Sequence, residues 1–300
     1  MSVHSLEKPI TIQSLLQKKH QGEKIVSVTA YDYTTARLVD RVGLVDFMLV
    51  GDSLAMTVLG HPNTLSVTVD EMLHHVKAVV RGTQRALVVA DMPFMSYTTE
   101  MVQSIRNAGR FIQEGGCHSV KIEGASPSTC ALIEHLTGIG IPVMGHLGFT
   151  PQSLNTLGGF KVQGKTVQDA QSMVQDALAL QRSGCYAVVL EMVPVEVAQY
   201  VSQALTIPTI GIGAGNVCDG QVLVIDDLLG RYPDLSPRFV RKYAELGHLT
   251  SEAIRAYAQD VQTCAFPDNT AEAFHFPAAL QDELNVSVEA SGLLTASVSS

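Results

Sequence analysis

Eight short apolar runs, each continuous rather than alternating, constrain this chain more than any other feature. They are Ile25–Ala30, Phe47–Val50, Ala86–Ala90, Ser119–Ile122, Ile141–Met144, Tyr186–Leu190, Pro208–Ile212 and Gln221–Ile225. Successive side chains on a strand point to opposite faces, so a continuous apolar run predicts a strand covered on both sides. Most of the gaps carry helical periodicity. Thr68-x-x-Glu71 reads as a capping box, followed by an inward face of Met72, Leu73, Val76, Val79 and Val80. Ser126-Pro127 predicts a helix start, with Gly138 after its end. Thr166 opens a long helix with Val167, Ala170, Val174, Ala177 and Leu178 inward and Gly184 at its end. Ser236-Pro237 predicts another, with Phe239, Val240 and Tyr243 on one face.

Strands alternating with helices, in 300 residues that are 46% hydrophobic, predict an α/β fold of the (β/α)₈ TIM barrel class. One link resists this reading. Ala214–Gly220 is shorter than the roughly dozen residues a parallel crossover takes, so a doubly wound open sheet stands as the alternative. Residues 9–276 read as a single catalytic domain and 1–8 as an N-terminal extension. Residues 277–300, ending in SVEASGLLTASVSS without strong periodicity, are expected to form a mobile tail.

Charge and cysteine usage exclude several classes. The net charge is −9, and 20 scattered Lys and Arg against 29 Asp and Glu argue against a nucleic-acid partner. Five cysteines without a CxxC pair fit a reduced, intracellular protein better than a disulfide framework or zinc site. No apolar run approaches the roughly 18 residues of a membrane helix, and the first residues lack a signal-peptide core. The expectation is a cytoplasmic protein with no membrane partner.

The chemistry gathers at the ends of the runs. LVGDSLAM delivers Asp52 just past the second strand, VVADMP delivers Asp91, VKIEG delivers Glu123 and VVLEMVP delivers Glu191. Any one of these reads equally as turn chemistry. Four on one edge would repel one another unless a cation lay among them. Carboxylates without a Cys/His cluster favour Mg²⁺, which takes one or two of them plus water and substrate oxygens. A carboxylate outside the metal shell is then free to act as a base. Lys121 shares a face with Glu123 and pairs with either a substrate carboxylate or a neighbouring acid. His146 in VMGHLGFTPQS ends the fifth strand at the same mouth. The glycine-bounded GGFKVQG, residues 158–164, suits a lid or a plain surface loop. IGIGAGN, residues 210–216, lacks the third glycine of a dinucleotide fingerprint. His74-His75 reads as a solvent-edge pair, and His61 as a loop or polar core residue.

The motifs TAYDY (29–33), VGDSLAM (50–56), DMPFMSY (91–97), VKIEG (120–124), GHLGFTPQS (145–153), GGFKVQG (158–164), VLEMVPVE (189–196) and IGIGAGN (210–216), in this order, resemble the ketopantoate hydroxymethyltransferase family. The resemblance runs from about Pro9 to about Phe276. It implies a Mg²⁺-dependent (β/α)₈ barrel of the phosphoenolpyruvate mutase/isocitrate lyase type, often decameric. It implies transfer of a one-carbon unit from 5,10-methylenetetrahydrofolate to 2-oxoisovalerate through a Mg²⁺-stabilised enolate, giving ketopantoate on the route to pantothenate and coenzyme A. By the same resemblance Asp52 and Asp91 hold the metal, with Glu123 at or near its shell. Ser53 and Lys121 grip the keto acid alongside the two aspartates, Glu191 is the base, and His146 supports the site. Ala55 stands where glycine is common in the family, Met95 where glycine or alanine is frequent, Ser66 where proline is usual, and Asp226 where histidine is often found. A lyase acting on another 2-oxo acid would need an acid or cysteine in the lid, and GGFKVQG has neither. The intact acids and Lys121 argue against a non-catalytic scaffold.

Overall fold

The computed structural model describes residues 8–232 and 237–291. The N-terminal extension, apart from Lys8, the helix start at Ser236 and the last nine residues of the tail therefore lie outside the described residues. Two compact units are present, Met1–Glu245 and Leu246–Ser300.

In the first unit eight parallel strands close into a barrel in chain order. They are β1 (Ile25–Thr29), β2 (Phe47–Val50), β3 (Leu87–Asp91), β4 (Ser119–Glu123), β5 (Val143–Gly148), β6 (Ala187–Glu191), β7 (Thr209–Ile212) and β8 (Gly220–Leu223). The open-sheet alternative is overturned, because β8 pairs with both β7 and β1. The seven residues 213–219 cross without a helix. Extended chain spans about 3.3 Å per residue, so such a link reaches about 23 Å, enough to run back along one short strand.

The apolar runs divide by parity, as the pleat requires. Phe47, Leu49, Leu87, Val89, Met144, Ala187, Val189 and Ile210 fill the lumen. Their alternates, among them Met48, Val50, Val88, Val120, Ile122 and Val188, pack outward against the helices. The helix Val69–Gly82 carries the expected capping box and buries Met72, Leu73, Val76 and Val79. Ser126 caps the helix Pro127–Gly138, in which Gly138 is the last residue.

Two helix expectations fail. In the helix Val167–Arg182, Val167 is 77% exposed, whereas Met173, Ala177 and Leu180 are the buried positions. As the first helical residue it overhangs the turn above the core. Residues 237–240 form a turn, not a helix, closed by Val240 N–H donating to the Pro237 carbonyl. Phe239 there packs where a side chain on Gly213 would stand, and Tyr243 N–H bonds the Leu228 carbonyl. Those two anchors hold the segment down in place of a helical ladder. The next helix is Leu246–Gln262 in the second unit, which also holds Gln281–Ala290 within the weakly periodic tail. Among the described residues no helix is long and apolar enough to cross a membrane, and all five cysteines are unpaired.

Candidate active site

Strand parity builds the site. Continuing Leu87 and Val89 by two puts Asp91 in the lumen, and continuing Met144 puts His146 there. The same step from Ala187 and Val189 delivers Glu191, while Lys121 and Glu123 alternate with the outward Val120 and Ile122. Parallel register then sets the neighbours. Asp91 lies beside Lys121 and Glu123 beside His146. Accordingly Lys121 Nζ is 2.6 Å from Asp91 Oδ1, and His146 Nδ1 is 3.5 Å from Glu123 Oε1. Lys121 thus pairs with a neighbouring acid, Asp91. Its ammonium also reaches His146 Nδ1 at 3.2 Å. Lysine only donates, so Nδ1 is the acceptor and the imidazole proton sits on Nε2, which faces Glu191 Oε2 at 3.4 Å.

Asp52 arrives from the turn after β2. Its backbone N–H donates to Asp91 Oδ2 at 3.0 Å, which ties the two acids together. Ser53 Oγ stands 2.8 Å from the Tyr31 hydroxyl. The turn after β5 needs a glycine. Gly148 has φ 94, and a Cβ there would collide with the Glu191 carbonyl. All seven residues expected at the site thus meet at one end of the barrel, where barrel enzymes place their chemistry.

Four carboxylates share this end with one lysine. Burial raises Asp52 well above the usual carboxylate range, with Asp91 and Glu123 adding to it. Burial pushes Glu123 up to about 7, against the pull of Lys121. Glu191 is also raised by burial, with His146 opposing. Burial and Lys121 lower His146, which keeps it neutral. Burial works against the charge on Lys121, but the surrounding acids, Asp91 foremost, outweigh it. Glu123 Oε1 is buried without a hydrogen-bond partner. An excess of buried negative charge and an orphaned carboxylate oxygen suit a hard, oxygen-seeking divalent cation. No three His, Cys, Asp or Glu side chains among the described residues form a ready-made cage. A cation such as Mg²⁺, which keeps water and substrate oxygens in its shell, would need only one or two of these carboxylates.

Gln152, Tyr97 and Tyr31 belong to this end of the barrel and were not singled out from the sequence. Gln152 Nε2 donates to Asp52 Oδ2 and to the Met92 carbonyl, both at 2.9 Å. Its backbone N–H donates to Glu123 Oε2 at 3.1 Å. Tyr97 OH donates to Gln152 Oε1 at 2.7 Å and accepts the Glu123 N–H at 3.3 Å. A polar residue one step past a strand-end turn, as in FTPQS, was the available signal. His75 is also more than a solvent-edge residue, since its Nδ1 lies 2.7 Å from the Tyr31 carbonyl. His61 is half-buried and its N–H bonds the Ala55 carbonyl. The 158–164 loop is tied to the tip of β6 by Gln163 N–H donating to the Met192 carbonyl. Its Phe160 ring lies 5.1 Å from Phe149. Of the departures from the family pattern, Ala55 is buried in the short helix Leu54–Thr57, Ser66 is exposed and Met95 adopts φ 64. Asp226 is buried against Arg231, at 2.6 Å from its Nε.

Comparison with known proteins agrees with this geometry. The family model described as ketopantoate hydroxymethyltransferase matches residues 9–269. A 3-methyl-2-oxobutanoate hydroxymethyltransferase of Acetivibrio thermocellus is 54% identical over 260 residues, covering 86% of this chain and 90% of that relative. One from Syntrophus aciditrophicus is 50% identical over 268 residues, covering 89% and 98%. Among solved structures, phosphonopyruvate hydrolase complexed with oxalate and Mg++ superposes with a TM-score of 0.57 at 13% identity, covering 95% of this chain and all of that one. A 2,3-dimethylmalate lyase, described as a phosphoenolpyruvate mutase/isocitrate lyase superfamily member, superposes at 0.55 and 17% identity, covering 93% and 98%. Those two likenesses are of fold.

Proposed function

The chain belongs to the ketopantoate hydroxymethyltransferase family, and from that membership we propose that it carries a one-carbon unit from 5,10-methylenetetrahydrofolate to C3 of 2-oxoisovalerate, giving ketopantoate for pantothenate and coenzyme A synthesis. The observation that carries the chemistry is the pairing of a cluster of acids around one lysine with a further carboxylate, Glu191, 3.4 Å from His146 at the same end of the barrel.

Asp52 and Asp91, tied through the Asp52 N–H, are the residues that would hold Mg²⁺, with Glu123 at or near its shell. The metal, when bound, supplies Lewis-acid polarisation of the keto oxygen. Lys121 and the Ser53 hydroxyl bind and orient the substrate carboxylate and keto group. Glu191 takes the C3 proton, and the electron pair of the broken C–H bond forms the new bond to the one-carbon unit, while one water supplies the product's hydroxyl oxygen and both C–N bonds of the methylene bridge break to release tetrahydrofolate. Burial gives Glu191 a higher proton affinity than a solvated carboxylate, as a base for a weakly acidic C–H requires. The Nε2 proton of neutral His146 faces Glu191 Oε2 at 3.4 Å, which places a donor beside the base. The 158–164 loop, hydrogen-bonded to the residue after Glu191, lies beside the proposed base. Mg²⁺ with oxalate in a phosphonopyruvate hydrolase of this fold supports the choice of cation. The same membership underlies two further parts of the reading, a decameric assembly and a cytoplasmic location.

The test is isotope exchange. Incubated with 2-oxoisovalerate and Mg²⁺ in D₂O, the protein is expected to exchange the C3 proton, followed by NMR. Glu191→Gln is expected to slow exchange by about 10²–10⁴-fold, the usual contribution of a positioned base. Exchange unchanged by that substitution overturns the assignment of the base.

A further inference from the structure

Gln152 is buried, sits outside every strand and yet touches two of the proposed metal-binding acids. It lies on the single turn Pro151–Ser153 that follows β5. Its side-chain amide is fully determined by its neighbours. The Met92 carbonyl only accepts, so the NH₂ group faces it and gives its other hydrogen to Asp52 Oδ2. The amide oxygen is left to accept from Tyr97 OH. The Tyr97 oxygen in turn accepts the Glu123 N–H. The Gln152 main chain closes the circuit by donating to Glu123 Oε2.

The result is asymmetric at both acids. One oxygen of each, Asp52 Oδ2 and Glu123 Oε2, is held by Gln152. The other oxygen of Glu123, Oε1, has no hydrogen-bond partner although it is buried. From this geometry we infer that Gln152, braced by Tyr97, is a positioning residue that locks the rotamers of Asp52 and Glu123 and turns their free oxygens toward a hard divalent cation. The inference rests on the metal reading above. Its physical basis is that partners of ligating carboxylates fix ligand orientation and so set affinity. A glutamate could not replace Gln152, because it would oppose Asp52 and the Met92 carbonyl with acceptors.

The test titrates MgCl₂ alone, without substrate, into the full chain by calorimetry, with thermal unfolding recorded beside it. Gln152→Leu removes the amide at nearly constant size, and Tyr97→Phe removes the brace together with the acceptor of the Glu123 N–H. Gln152→Leu is expected to weaken Mg²⁺ binding by about 10–100-fold, the range found when such partners are lost. Tyr97→Phe is expected to weaken it in the same direction by less. Kinetics should show a raised Mg²⁺ requirement with a smaller change in kcat at saturating Mg²⁺. Folded variants that bind Mg²⁺ like the wild type overturn the inference, even where they melt earlier, since a purely structural role would lower the melting temperature alone. If Gln152→Leu does not fold, Tyr97→Phe decides. Failure of the wild type itself to bind Mg²⁺ overturns the metal reading and this inference with it, whereas wild-type binding with unaffected variants overturns this inference alone.

Discussion

The two ends of the barrel treat buried acids in opposite ways. At the N-terminal end three acids have partners of their own. Asp46, just before β2, faces Lys18 Nζ at 2.7 Å and accepts the Val26 N–H at 2.9 Å. Asp219, just before β8, faces Lys19 at 2.8 Å and takes both the N–H and the hydroxyl of Thr209. Asp40 accepts the N–H groups of Gln84, Arg85 and Ala86, fixing the entry to β3. At the C-terminal end Asp226 has its own partner in Arg231, but Asp52, Asp91, Glu123 and Glu191 share Lys121, and burial raises Asp52, Glu123 and Glu191. Matched charge tightens the closed end, whereas the mismatch at the open end leaves a place for a cation that the chain does not itself supply.

The largest expected effect comes from making one chemical change at both ends. Asp46→Asn strips a charged partner from Lys18, and loss of hydrogen bonds to a charged group costs about 1.5–3 kcal/mol. Its urea unfolding midpoint should fall. Asp52→Asn keeps an oxygen for the Gln152 amide but relieves like-charge crowding, so the metal-free protein should unfold at higher urea than the wild type while losing Mg²⁺ affinity. Opposite signs in the two midpoints sustain the contrast, and a fall in both removes it.

This contrast was only partly legible in the sequence. The strands were, because an apolar run covered on both faces has few other uses, and so were the acids, because each stood at the end of a run. Register was not. That Asp91 faces Lys121 and Glu123 faces His146 depends on how neighbouring strands align, which no single run encodes. Gln152 was hidden for a related reason, since its partners come from Asp52, Met92, Tyr97 and Glu123, all distant in the chain. The Ser236-Pro237 pair signals a helix start locally, but residues 237–240 form a turn, held by Phe239 beside Gly213 and by the Tyr243 N–H on the Leu228 carbonyl. Val167 shows the same limit at smaller scale, an apolar residue in phase with its helix but beyond the edge of the core.

A smaller effect sharpens the comparison through pH. Folded Glu123 holds its proton up to about pH 7, against 4.5 as the ordinary value. Between those values the folded state binds the extra proton, so this residue's contribution to stability is full below about 4.5 and is lost as pH rises toward 7. Glu123→Gln removes that dependence. The difference in melting temperature between the variant and the metal-free wild type should therefore grow in the variant's favour across this window. Saturating Mg²⁺ should shrink it. A difference that is flat with pH would show that Glu123 is not held in its protonated form.

The smallest expected effect lies in the backbone. Among the described residues, non-glycine positions with left-handed φ are Met95, Met192 and Cys264. Met95 and Met192 lie just past the tips of β3 and β6 at the open end of the barrel. Met95 is 55% exposed, so its side chain has little packing to offset the conformation. A left-handed conformation costs a residue with a Cβ about 1–2 kcal/mol, and glycine gives back about 0.5–1 through its looser unfolded chain. Met95→Gly is therefore expected to stabilise the metal-free protein by roughly 0.5–1 kcal/mol in urea unfolding. Because Tyr97 follows two residues later, Mg²⁺ titration of the same variant reads whether the strain has a use. An unchanged Kd marks it as incidental to the site. A weakened Kd with a gain in stability would show that the tight turn at Met95 helps hold the Tyr97 hydroxyl against Gln152, extending the contrast between the two ends from charge to backbone.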